Sequence, residues 1–114
     1  MEQSAWHQPR PEHGKLTPWN WVAQYPEYLV LGSNTSIGSF TYINALHGVE
    51  ILEGTMIASH CSLYSLYDGG KQGKITIGRN VRIGSHSTIM PGVTIGDNTI
   101  VGSYSLVTRD LPAN

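Results

Sequence analysis

The 114-residue sequence predicts an all-β chain, wound as a parallel β-helix of about four triangular coils behind an irregular N-terminal cap over residues 1–28. Three observations carry this expectation. Aliphatic residues recur every six positions from Leu31 onward, and small or β-branched residues stand four positions after most of them. Nearly all valine, isoleucine and threonine lies beyond residue 28, whereas all 3 tryptophans and four of the 6 prolines precede it.

Composition narrows the class. A chain of 114 residues holds one core. Charged residues make up only 13%, with 7 basic against 8 acidic and a formal net charge of −1. Such a surface offers no broad basic patch to a nucleic-acid backbone or an anionic membrane. The single cysteine, Cys61, makes no internal disulfide, which excludes a stapled secreted mini-protein. Residues 1–15 carry Glu2, Arg10, Glu12 and Lys15 with no apolar stretch, and no spanning-length apolar run occurs elsewhere. A cytoplasmic location without membrane insertion is expected.

The elements follow from the repeat. Six units run without a break from Ile77, starting at Ile77, Ile83, Ile89, Ile95, Val101 and Val107. Upstream units start at Leu31, Ile37 and Ile43, and in a new phase at Ile51, Ile57 and Leu63. Grouped in threes they form turns over 31–48, 51–68, 77–94 and 95–112, with the extra residues falling at coil ends. Within a unit, positions one and five face inward, because strand side chains alternate and the corner between strands reverses the path. The first is therefore bulky and the fifth small. Fifth positions read Thr35, Thr41, Thr55, Cys61, Val81, Ser87, Val93, Thr99 and Ser105, with His47, Tyr67 and Leu111 as exceptions on the third side. Fourth positions on the first side are Asn34, Gly54, Asn80 and Asn98, residues that accept a left-handed corner.

Stacking coils turns equivalent positions into columns about 4.8 Å apart. On the second side these are Gly38, Ala58, Gly84 and Gly102, then Ser39, Ser59, Ser85 and Ser103, then Phe40, His60, His86 and Tyr104. His60 and His86 are expected to stack. The small columns suit either tight corners or a bound ligand, and the aromatic column suits either subunit packing or catalysis by a group that titrates near neutrality. The cap, with Trp6, Trp19, Trp21, Tyr25 and Tyr28, is expected to cover the open lower coil, since bare β edges invite aggregation.

The phrase Ile89-Met90-Pro91-Gly92-Val93-Thr94-Ile95-Gly96-Asp97 and the ending Val107-Thr108-Arg109-Asp110-Leu111-Pro112-Ala113-Asn114 carry a resemblance. Over roughly residues 29–114 the chain resembles the hexapeptide-repeat acyltransferases, and within them the maltose, galactoside and polysaccharide sugar acetyltransferases. The resemblance implies a left-handed helix, a homotrimer with sites between neighbouring prisms, and acetyl-CoA as co-substrate with no metal. It implies direct acetyl transfer to a hydroxyl or amine of a saccharide or nucleotide-sugar, with a histidine as general base.

Carried onto this sequence, the resemblance places pantetheine along Gly84, Ser85, Gly102 and Ser103. It places CoA near Thr108 and Arg109, with Lys71 and Lys74 of the 68–74 loop reaching its phosphates. Tyr67 and Asp68 face the acceptor. In the maltose and galactoside enzymes the base is a histidine followed by proline in the loop leaving the third side. Here that position is Asp68, and the loop holds no histidine. The base is then expected at His60, with His86 or His47 behind it, or else catalysis is lost and the solenoid is a binding or structural trimer. Members of the family normally continue past the position of Asn114, so a less covered upper coil is expected. A zinc enzyme of the γ-carbonic-anhydrase type shares the solenoid, but it uses two histidines five residues apart. His60 and His86 are 26 apart.

Overall fold

The computed structural model describes residues 5–114, so the first four residues of the expected cap lie outside it. The chain forms a left-handed parallel β-helix with three flat faces. The first face holds Leu29–Leu31, Val49–Ile51, Ile75–Ile77 and Thr94–Ile95. The second holds Ser36–Ile37, Met56–Ile57, Arg82–Ile83 and Ile100–Val101. The third holds Val22–Gln24, Tyr42–Asn44, Ser62–Tyr64, Thr88–Ile89 and Leu106–Val107.

The register is the one the six-residue period predicts. Leu31, Ile51, Ile77 and Ile95 stand in line, as do Ile37, Ile57, Ile83 and Val101, and Ile43, Leu63, Ile89 and Val107. Strands of two or three residues have no stability alone, so each depends on the rungs above and below and on the apolar column it joins.

Small fifth positions do more than leave room. The Thr41 hydroxyl donates to the Ala58 carbonyl one rung above at 2.9 Å and accepts from the Cys61 N–H at 3.2 Å. Thr55 treats Gly78 and Val81 the same way, and Ser87 treats Gly102 and Ser105. These polar groups are buried but paired, which removes the desolvation penalty of an orphaned hydroxyl. Cys61 occupies the corresponding place, its thiol 3.3 Å from the Gly84 carbonyl. Burial pushes that thiol up, which keeps it protonated and unreactive.

Three features depart from the expected pattern. The exceptions His47 and Tyr67 are not at the inward fifth position. Val49 and Ile75 pair there and are buried, because the extra residues enter before that position rather than after it. Residues of the second insertion form an antiparallel ribbon, Leu66–Tyr67 against Lys71–Gln72, closed by Gly69 and Gly70 at φ +84° and +81°. Finally, the cap segment contributes a strand of its own. Val22–Gln24 extends the third face below Tyr42–Asn44, and Trp21 is buried in the core beside it. The Trp6 indole N–H, bonded to the Thr35 carbonyl at 2.9 Å, ties the preceding segment to the first coil.

Cys61 tests this register. Cys61→Leu should overpack the coil and cost about 1–3 kcal/mol, whereas Cys61→Ser, which reproduces the hydroxyl of Ser87, should stay within about 1 kcal/mol of wild type. Urea denaturation of both variants checks this, and an unchanged midpoint for the leucine variant would contradict it.

Candidate active site

A triangular coil must turn sharply where one face gives way to the next. At the first corner the turning residues are Asn34, Gly54, Asn80 and Asn98, with φ between +54° and +74°. At the second corner the same left-handed conformation is held by Phe40, His60, His86 and Tyr104, at φ +64°, +59°, +61° and +61°. Bulky residues resist it, at roughly 1–2 kcal/mol each. Part of that cost returns through stacking, about 0.5–1.5 kcal/mol per pair. The imidazoles of His60 and His86 lie 4.7 Å apart and parallel to within 1°. Phe40 sits 5.3 Å below His60, and Tyr104 4.7 Å above His86. All four side chains are exposed. Stacking occupies the ring faces and leaves to solvent the ring edges, where an imidazole carries both nitrogens.

The ladder separates two different surfaces. On the second face an apolar depression runs past Met56, Ala58, Arg82, Gly84, Ile100 and Gly102. It meets another at the upper end, where Gly102, Thr108 and Arg109 are among the lining residues. Gly84 has a structural reason to lack a side chain, since a Cβ there would stand 2.5 Å from the Ser103 amide of the rung above. Gly102 has no such neighbour within 4 Å. Of the residues named from the sequence, Gly84, Gly102 and Ser103 line the trough on the second face, Gly102, Thr108 and Arg109 line the depression at the upper end, and Ser85 lies between Gly84 and His86 in the chain.

The remaining candidates lie elsewhere. His47, Lys71, Lys74, Tyr67 and Asp68 follow the third face, at or beyond the opposite corner. Lys74 pairs with Glu50 at 3.2 Å, and Lys71 is exposed on the ribbon. Tyr67 leans back over the third face, its ring edge-on to Tyr64 at 5.0 Å. Among the described residues no group of three or more histidine, cysteine or acidic side chains gathers as metal ligands do.

The third face carries a surface that the sequence pattern does not reveal. Tyr64 packs 5.6 Å from Tyr42, whose hydroxyl donates to Gln24 Oε1 at 2.6 Å. Asn44, only 9% exposed, offers its amide nitrogen 3.5 Å from the same hydroxyl. Aromatic rings interleaved with amides form a platform with both apolar and hydrogen-bonding character. The available signal is the pairing Tyr-x-Asn and Ser-x-Tyr about the inward residues Ile43 and Leu63.

The bacterial transferase hexapeptide family (six repeats) matches residues 74–109. Across 110 residues the chain is 40% identical to the galactoside O-acetyltransferase of Escherichia coli (strain K12), an alignment covering 82% of this chain and 54% of that protein. The chain belongs to the hexapeptide-repeat acyltransferase superfamily. Among solved structures of this superfamily, it superposes on a maltose O-acetyltransferase from Clostridium difficile 630 with a TM-score of 0.79 at 30% identity, covering 83% of this chain and 56% of that one. A galactoside acetyltransferase in complex with coenzyme A gives 0.65 at 30% identity, covering 82% and 52%. The chain therefore spans about half the length of these relatives.

This hexapeptide-repeat chain places strain at its ladder, and that strain can be measured. His60→Asn relieves the left-handed backbone while losing two stacking contacts, so its unfolding free energy should stay within about 1 kcal/mol of wild type. Chemical denaturation decides, and a loss above about 3 kcal/mol would make the ladder a main structural support instead.

Proposed function

We propose that the protein transfers an acetyl group from acetyl-CoA to a hydroxyl or amine of a saccharide or nucleotide-sugar, in the cytoplasm and as a homotrimer. The observation that carries this reading is the stacked His60–His86 pair, each histidine two residues beyond a small residue, Ala58 or Gly84, of the trough on the second face. The trough suits an extended pantetheine arm, whose amides meet a surface bare of side chains along Ala58, Gly84 and Gly102. Its upper end suits the nucleotide, with Arg109 a fork-shaped partner for phosphate. The similarity to a coenzyme A complex supports the same choice.

The platform of Tyr42, Asn44 and Tyr64 suits a sugar ring, which presents a flat apolar face and hydroxyls at its rim. It lies around a convex corner from the trough, so one prism cannot enclose both ligands. A neighbouring prism supplies the missing wall. In a cyclic trimer the ladder and trough of one protomer face the platform of the next, and the ribbon at residues 66–72 extends across that gap.

His60 then abstracts the proton of the acceptor hydroxyl as its oxygen attacks the thioester carbonyl. A C–O bond forms, the tetrahedral intermediate collapses, and the C–S bond breaks. The imidazolium returns its proton to the departing CoA thiolate. His86, stacked on His60, fixes the ring plane and holds it at the margin of the trough.

The test is acetyl transfer by the folded protein, followed as CoA release. Galactosides and maltose, the substrates in the relatives' names, come first, and nucleotide-sugars follow. His60→Ala should lower turnover by about 10²–10⁴ with CoA affinity nearly unchanged, and His86→Ala should be milder. Full activity in His60→Ala would remove it from the mechanism, and an inactive wild type across all acceptors would favour a purely structural or binding solenoid.

A further inference from the structure

The outward column of the second face contains a charge that the reading above leaves unused. Arg82 stands in register between Met56 below and Ile100 above, residues 47% and 78% exposed. Its guanidinium Nη1 donates to the Gly54 carbonyl at 3.2 Å, which draws the side chain toward the first corner. Among the described residues no carboxylate pairs with Arg82. Its neighbour Arg79 differs in that respect, being bonded to Glu53 Oε1 at 3.2 Å. A guanidinium has five N–H donors, so this single bond anchors the group and leaves its fork available.

Resting on the acetyl-transfer reading, we infer that Arg82 is a diphosphate-recognising residue of this site. The planar fork matches two phosphate oxygens at once, which a point charge does not. His86 lies four positions after Arg82, at most about 13 Å of extended chain, so a diphosphate held at Arg82 leaves the rest of its molecule able to reach the ladder. Two ligands of the proposed reaction carry that chemistry, CoA and a nucleotide-sugar acceptor. Arg82 discriminates in favour of whichever lays its diphosphate across the second face.

Calorimetric titration of wild type, Arg82→Met and Arg82→Lys with CoA, with pantetheine and with UDP-N-acetylglucosamine tests this, with melting curves to confirm that the exposed substitution leaves the fold intact. The expected result is 10- to 100-fold weaker binding by Arg82→Met of CoA or of the nucleotide-sugar, only partly restored by lysine, while pantetheine, which touches the same trough but carries no diphosphate, changes by less than about threefold. The ligand that responds identifies the source of the diphosphate. Unchanged affinity of both variants for the two diphosphate ligands, alongside a wild type that binds CoA, would overturn the assignment of Arg82 and leave the acetyl-transfer reading standing. A wild type that binds none of the three would overturn both.

Discussion

Every coil of this protein must close on itself in eighteen residues or so and leave its backbone groups aligned with the coil above. Three short strands achieve this with a left-handed residue at the first and second corners of every coil and with each rung bonded to the next. The Ser36 amide to Thr55, Met56 to Val81 and Arg82 to Thr99 show that chain of contacts on one face. Because equivalent residues then lie one rung apart, any side chain placed at a corner is repeated as a column. Columns, rather than separate pockets, are the material from which this fold makes a site. Insertions are confined for the same reason: extra residues enter where the third face gives way to the first, at the 66–72 ribbon, and leave the other two corners in phase.

The two left-handed corners show what is structural and what is not. Asparagine and glycine at the first satisfy the backbone at little cost. Phenylalanine, histidine and tyrosine at the second do not, and stacking offsets the strain only in part. Strain kept at an exposed corner points to use of the side chains that bear it. The corner is convex, so trough and platform face away from one another on a single prism, and the proposed trimer is what would bring one against the other.

Much of this was legible in the sequence because the inward residues obey a strict period. The lines Leu31, Ile51, Ile77, Ile95 and Ile57, Ile83 follow from counting sixes, and the stacking of His60 on His86 follows from those lines. The period says nothing about where inside a unit an insertion enters. Val49 and Ile75 therefore take inward places that counting assigned to His47 and Tyr67. Nor does it reach Val22–Gln24, a rung that uses a single strand without the rest of a coil. Outward residues lie beyond its grasp altogether. Tyr42, Asn44 and Tyr64 gather by contact within and across rungs, Lys74 is drawn to Glu50, and Arg82 is left without a carboxylate among the described residues, none of which hydrophobic spacing records.

The central claim is that the ladder of one protomer and the platform of another complete a single reaction centre. Its most direct measurement is acetyl transfer by mixed trimers assembled from His60→Ala and Tyr64→Ala chains, each inactive or nearly so alone. A shared site recreates some interfaces with both residues intact, so an equal mixture should recover roughly a quarter of wild-type activity. Activity no greater than the average of the two separate variants, in trimers shown to contain both chains, would contradict the account.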